Sequence, residues 1–243
     1  MRWQLIRTAG SCVDRAIREE TAMTDERNPR DAAAPEPQTL ADLDRLIAAA
    51  EPMVPGGTRA VLGEGPVGAP IAFVGEQPGD QEDLQGRPFV GPAGKLLDRA
   101  LADAHIDRAA IYVTNAVKHF KFARSGKRRI HQKPTAGEVK RYRWWLMKEL
   151  DLVRPRLVVA LGATAVLALT GKALPIARAR GEARFDGHRG YVTVHPSYLL
   201  RLKGEDEKRR AYAAFLADLK RVRTLVEDVP GGTNPVALAR GLG

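Results

Sequence analysis

From about residue 40 onward the apolar positions fall into two alternating rhythms. Four short runs have the length and composition of buried strands: "APIAFVGE" (69–76), "AAIYVTNAV" (109–117), the apolar run 157–161, and "GYVTV", which begins at Gly190 and is expected to end at His195. Between them apolar residues return every three or four positions, the period of a helix with one buried face. "LADLDRLIAAAE" aligns Leu40, Leu43, Leu46 and Ile47, and "GPAGKLLDRALADAHI" aligns Leu96, Leu97 and Leu101. "TAGEVKRYRWWLMKELDLV" opens on Thr135 with Glu138 three residues on, a capping box. A further helix follows Gly162, and "KRRAYAAFLADLKRVRTLV" reads as a closing amphipathic helix. The alternation predicts an α/β fold, a three-layer αβα sandwich around a central, mostly parallel four-stranded sheet. Ligands of such sheets bind beyond the carboxyl ends of the strands, where Glu76, Asn115 and His195 all fall.

Three segments are expected. Residues 1–38 end in the charged, Pro- and Ala-rich "TDERNPRDAAAPEPQ" and read as a disordered extension, within which Met23 would serve equally as an initiator. Residues 39–228 form one domain, and the Gly- and Pro-rich residues 229–243 a flexible tail. A chain of 243 residues is long enough for one sizeable core. No run approaches the roughly 18 apolar residues of a membrane span, nor does the start carry the apolar core of a secretory signal, so the cytosol is the default compartment. With Cys12 as the single cysteine, an internal disulfide framework and a multi-cysteine metal site are both excluded.

Charge narrows the class of partner. The net charge of +10 favours a polyanion. Between Lys118 and Lys148 eleven basic residues face one acid, Glu138, whereas a merely solvated face mixes both signs. That clustering, densest in the loop "ARSGKRRIHQKP" (123–134), is the footprint of a nucleic-acid backbone.

Against this background four motifs carry chemistry, each with a plainer alternative. "GEQPGDQED" places Glu76 at a strand end beside a Pro-Gly turn; alone it is a turn with a helix cap. Phe89, between Pro88 and Val90, offers an aromatic face for a planar ligand. The Asn115 amide, donor and acceptor at once, suits the pairing edge of a pyrimidine, although a lone Asn is also a turn former. His195 in "VHPSYLLR" and His131 in "KRRIH" read either as structural residues or as participants in the reaction.

Taken together, "GEQPGDQEDLQGRPFVGPAGKLLDRAL", "YVTNAVKHFKF", "KRRIH" and "VHPSYLLR" resemble the uracil-DNA glycosylase superfamily, and specifically its family X (UdgX) branch, itself similar to the iron–sulfur family 4 enzymes. The resemblance spans roughly residues 40–226 and implies excision of uracil from DNA, with uracil-containing DNA, single strands included, as partner of a monomer. It implies catalytic roles for Glu76 near C1′, for His195 as donor to uracil O2, and for His131 as the nucleophile that captures the sugar in a stable adduct. Phe89 resembles the stacking platform and Asn115 the reader of the uracil edge, with Gln77 and Asp80 supporting them. Lys118, Lys127, Arg128, Arg129 and Ser197 would contact the DNA, and Leu199, Leu200 and Arg201 resemble the wedge that enters the minor groove.

One departure stands out. Relatives usually hold an iron–sulfur cluster with cysteines, but the matching positions here are about Ala48, Glu51 and Tyr142, with His119 in the remaining ligand region. No metal and no cofactor are therefore expected, with Pro52, Met53, Tyr142, Trp144 and Trp145 filling the space and His119 in a packing role. Two rivals remain: a turnover glycosylase with water as nucleophile, and a non-catalytic uracil-DNA binding module. A nucleotide-processing enzyme would need a GxxxxGK[ST] phosphate loop, which "TGKALP" does not supply.

Overall fold

A computed structural model describes residues 36–228. The expectations placed on the N-terminal extension, apart from residues 36–38, and on the tail 229–243 lie outside the described residues, as does Cys12. Four elements open the fold: helix α1 (Leu40–Ala49), strand β1 (Ile71–Gly75), and the helices α2 (Asp80–Gln85) and α3 (Pro92–Asp103). After a 3₁₀ turn at Arg108–Ala110 come β2 (Tyr112–Asn115) and the short strands β3 (Phe122–Ser125) and β4 (Arg128–His131). The second half runs α4 (Ala136–Val153), β5 (Leu157–Leu161), α5 (Ala163–Thr170), α6 (Ile176–Ala179), β6 (Gly181–Phe185), β7 (His188–Thr193), α7 (Pro196–Arg201) and α8 (Glu205–Glu227).

The central sheet has the order β2-β1-β5-β7-β6. The four strands read from the sequence pair in parallel, and the fifth, β6, joins antiparallel at the edge. β6 belongs to a hairpin with β7 that turns at Asp186-Gly187, both at positive φ (23° and 89°), and Phe185 pairs with His188 across the turn. An Asp-Gly pair at such a turn is a strong hairpin signal. Because its burial is intermittent, β6 lacks the continuous apolar run that marks its four neighbours.

Side-chain alternation along the strands produces the layers. Ala72, Val74, Val158 and Ala160 point to one face, where α1, α4 and α5 cover them through Leu43, Ile47, Leu146, Leu150 and Val166. Ile71, Phe73, Val159 and Leu161 point to the other, against Leu97 and Leu101 of α3 and Phe215, Leu219 and Val222 of α8. Burial on both faces is why these strands are apolar throughout.

Besides the fifth strand, two features of the elements differ from expectation. The basic loop is an antiparallel hairpin, β3–β4, pairing Phe122 with His131 and Ser125 with Arg128 around Gly126 at φ 58°. The last parallel strand stops at Thr193, two residues early, because His195 caps the short helix α7, which Pro196 begins.

Lys118, expected on phosphate, is fully buried. Its ammonium lies 2.5 Å from Glu149 Oε2 and 2.6 Å from Thr114 Oγ1, while Tyr112 donates to the other carboxylate oxygen at 2.7 Å. A charge removed from water survives only with such partners, so Lys118 is a core ion pair and not a DNA contact. Lys118→Met leaves Glu149 buried without its cation and should lower unfolding stability by about 3–5 kcal/mol in urea denaturation. The salt dependence of oligonucleotide binding by the folded variant should match that of the wild type, since no phosphate contact is lost.

Candidate active site

The parallel strands reverse their order of addition between β1 and β5, since β2 is laid on one side of β1 and β5 on the other. Such a switch point opens a crevice at the carboxyl ends. There Glu76, the residue after β1, accepts a 2.5 Å hydrogen bond at Oε2 from the hydroxyl of Thr164, at the start of α5. The bond spans the switch point and fixes which carboxylate oxygen faces outward. Thr164, only 4% exposed, was not singled out from the sequence: a threonine in an apolar Gly-Ala-Thr-Ala turn carries no signal of its own.

A cleft of about 1280 Å³ extends from this point, lined among others by Glu76, Phe89, Asn115, His131, Thr164 and His195. Asn115 ends β2 directly beside Gly75 of β1. A Cβ on Gly75 would lie 2.4 Å from Asn115 Oδ1 and 2.7 Å from Phe89 Cζ, so the glycine lets the amide and the ring reach the same spot. Among the described residues no group hydrogen-bonds to the Asn115 amide, which leaves its donor and acceptor for a ligand. Phe89 takes a positive φ of 57°, a strained conformation for a bulky residue that neighbouring contacts must enforce. Glu82 supplies part of that enforcement by accepting from the backbone amides of Gly79 and Gly91 at 3.1 and 2.8 Å, which ties the Phe89 segment to α2.

The chemistry of His195 is set by its backbone. The Ser197 N–H donates to Nδ1 at 3.1 Å, and Ser197 Oγ lies 2.8 Å from the same nitrogen. A nitrogen that accepts an amide proton carries none, so the proton of the neutral ring sits on Nε2. Burial pushes the His195 pKa down to about 4, with Glu76 opposing and Arg201 and His131 adding to the shift. At neutral pH the ring is therefore an uncharged Nε2 donor, and it stacks on Phe89 at 6.3 Å between centroids. Ser197 serves this purpose directly and also accepts from Arg201 Nη1 at 3.0 Å. Leu200 is exposed and lines the cleft, whereas Leu199, expected beside it in the wedge, is buried in the core cluster that includes Phe89 and Phe215.

His131 enters from the opposite side, at the end of β4. Its Nε2 stands 3.4 Å from Glu76 Oε1, and its ring lies 6.1 Å from that of Phe120. Three sets of contacts hold its hairpin. Gln77 accepts from Lys121 N–H at 3.1 Å and donates to the carbonyls of Gln132 and Lys121. Lys121 pairs with Glu138, the capping residue of α4, at 2.8 Å. Arg129 pairs with Asp80 through Nε and with Asp83 through Nη1, each at 2.5 Å, while its guanidinium lies over the rings of Phe120 and Phe122.

These contacts revise three expectations. Gln77 and Asp80 line the cleft, but their polar atoms are engaged in holding the hairpin. Arg129, expected on phosphate, is mostly buried between two carboxylates. Lys127 and Arg128 do remain exposed at the hairpin turn, outside the cleft. Phe120 and Phe122 escaped notice in the sequence because hairpin-anchoring aromatics look like any apolar pair.

The region of a cysteine-held cluster is built differently here. Tyr142 accepts from Met53 N–H at 3.0 Å and lies 2.7 Å from His119 Nδ1, with Trp145 packed edge-on at 5.5 Å. Burial lowers the His119 pKa to about 4. The chain after Cys12 contains no thiol, and a direct side-chain hydrogen bond closes the space between His119 and Tyr142. Among the described residues no three His, Cys, Asp or Glu converge on a metal position. The residues present do not fit an iron–sulfur cluster.

A deep cleft at the switch point of a parallel sheet, with a stacking ring, a free amide, a neutral donor and an outward carboxylate, has the groups that handling an unstacked base requires. Residues 62–220 match the model of the uracil DNA glycosylase superfamily. The chain is 36% identical over 173 residues to the type-4 uracil-DNA glycosylase of Thermotoga maritima, covering 70% of this chain and 84% of that protein. It is 34% identical to the type-4 enzyme of Pyrobaculum aerophilum over 61% of this chain and 79% of the relative. Identity to that of Archaeoglobus fulgidus is 43% over 43% of this chain and 49% of the relative. The chain belongs to the uracil-DNA glycosylase superfamily.

Arg129→Ala should release the hairpin without unfolding the domain. Hydrogen exchange of the amides in 122–131 should speed up by an order of magnitude or more, while those of β1 and β5 keep wild-type protection. Unchanged exchange in 122–131 would show that the remaining contacts suffice.

Proposed function

We propose that the protein excises uracil from DNA and then captures the abasic sugar through His131. The observation that carries this reading is the 3.4 Å approach of His131 Nε2 to Glu76 Oε1 at the lip of a cleft suited to a planar pyrimidine. The uracil edge would pair with Asn115 and its face would lie on Phe89. As the bond from C1′ to uracil N1 breaks, its electron pair goes to the base, where negative charge at O2 meets the Nε2–H of His195. Positive charge develops at C1′ opposite Glu76. Having been displaced from direct contact with Glu76 by the sugar, His131 donates its Nε2 lone pair to C1′ and forms the new bond. The proton on Nδ1 then leaves to solvent, giving a neutral substituted imidazole, and the uracil anion takes a proton from water. Placement of the nucleophile against a cation-like carbon supplies a large effective concentration. In this reading Lys127, Arg128, Leu200 and Arg201 contact the DNA around the flipped nucleotide, which single strands present at the lowest unstacking cost.

Wild-type protein incubated with a uracil-containing single strand should give a shifted band that survives SDS and heat. His131→Ala should lose that band yet still release free uracil, with water taking the place of the imidazole. A wild type that releases uracil without a band would establish the turnover mechanism, and a band retained in His131→Ala would place the bond elsewhere.

The same reading holds that the domain folds and acts without an iron–sulfur cluster, supported by the lack of thiols around His119 and Tyr142. Purified protein should be colourless and bind iron far below the stoichiometry of a cysteine-held cluster. Broad visible absorbance from thiolate-to-iron charge transfer would overturn it.

A further inference from the structure

We propose that a groove on the outer flank of the β3–β4 hairpin is a second nucleotide subsite, which holds the neighbour of the target on the same strand. The proposal rests on the reading that the main cleft takes a flipped uracil nucleotide. The groove has a volume of about 610 Å³ and is lined by Asp80, Leu84, Arg124, Lys127, Arg128 and Arg129. That volume lies within the range of small-ligand pockets, about 300–1,000 Å³, and suits one unstacked nucleotide.

Charge, apolar exposure and continuity all support this occupant. Arg124, Lys127 and Arg128 are exposed, and none takes part in an ion pair among the described residues. The acids beside them, Asp80 and Asp83, share Arg129, which leaves one negative charge against three unpaired cations, so the groove stays net positive. The Arg124 guanidinium rests 5.8 Å above the Phe122 ring, which limits its directions. Such a set meets a phosphate, and three cations of one sign at a hairpin tip are otherwise mutually repulsive. Leu84 is 65% exposed in this charged setting, a surface for a sugar or the face of a base.

Continuity comes from Asp80, which lines both cavities, and from the hairpin, which offers His131 to one and Arg124 and Arg128 to the other. Arg124 pairs with Arg129 two residues along from the Phe122–His131 pair. Two strand residues span about 6.6 Å, of the order of the spacing between successive phosphates of one strand. A strand leaving the cleft past His131 therefore reaches the groove with its next nucleotide.

The test measures binding by fluorescence anisotropy, using single strands that carry one 2′-fluoro-2′-deoxyuridine. The fluorine opposes positive charge on the sugar and so blocks excision. Flanks are trimmed one nucleotide at a time from each side. Wild-type affinity should fall about tenfold when the adjoining nucleotide is removed on one side only, a loss of the size of one stacked and phosphate-bound base. The R124A/K127A/R128A variant should bind the full strand as weakly as wild type binds the trimmed one, and trimming that side should then change nothing further. Its slope of log affinity against log salt should be shallower by about 1, the share of the one or two phosphates that flank a single nucleotide. Leu84→Ser should give a smaller loss on the same side with an unchanged slope. Equal loss in the triple variant on every strand, or wild-type indifference to trimming on both sides, would overturn the subsite. Excision is scored separately on unmodified uracil strands. A wild type that excises uracil without a one-sided flank effect overturns the subsite alone; one that does not excise overturns the reading beneath it and the subsite with it.

Discussion

The arrangement of the cleft depends on Arg129 between Asp80 and Asp83. A hairpin of two four-residue strands cannot stand alone in water, and β3–β4 lies apart from the central sheet. Its contact with the body of the protein is made by polar groups and by the rings of Phe120 and Phe122, tilted against each other. A guanidinium suits this place because its planar fork engages two carboxylates while its face covers the aromatic rings. A lysine would provide the charge without the fork or the face. The pairing sets the distance between His131 and Glu76, two residues brought together from positions 55 apart in sequence.

Glu76 is fixed from the other direction. The Thr164 hydroxyl reaches it across the switch point, so the carboxylate is oriented by α5 while the proposed nucleophile is oriented by α2. His195 is oriented by its own helix, since the Ser197 amide selects the tautomer and burial keeps the ring neutral. A neutral donor matters for a leaving group that becomes an anion: it can strengthen its hydrogen bond as charge develops without having held a full charge in the apolar cleft beforehand. Each reacting group thus has a separate support, and none relies on a loop free of tertiary contacts.

The four parallel strands and the long helices were legible because burial on both faces imposes continuous apolar runs, and burial on one face imposes the helical period. The positions Glu76, Asn115 and His195 followed from the rule that strands end at the site. What stayed hidden has physical reasons. β6 alternates between exposed and half-buried residues, so its signal lay only in the turn Asp186-Gly187. The basic loop concealed a hairpin because its cationic side chains mask the pairing. Charge alone does not separate Lys118, sealed against Glu149, or Arg129, clasped by two acids, from Lys127 and Arg128, which face solvent. Counting cations located the right surface, but assigning each one required knowing where the acids fold.

Two of the pairing acids, Glu138 and Glu149, follow a single geometric rule along α4. Glu138, Tyr142 and Glu149 are spaced four and seven residues apart, which brings them to one face of a helix. The segment entering the hairpin meets that face in order: Lys121 with Glu138, His119 with Tyr142, and Lys118 with Glu149. A continuous polar seam therefore fastens residues 118–121 to α4, with its inner end buried and its outer end at the helix cap. The His119–Tyr142 bond sits in the middle of that seam, at the position where cluster-bearing relatives would bring thiolates together. Here the Tyr142 hydroxyl links the His119 ring and the Met53 amide directly, so three segments meet at one atom. The seam bears on the reaction because it is the root of β3, whose first residue, Phe122, pairs with His131 at the end of β4.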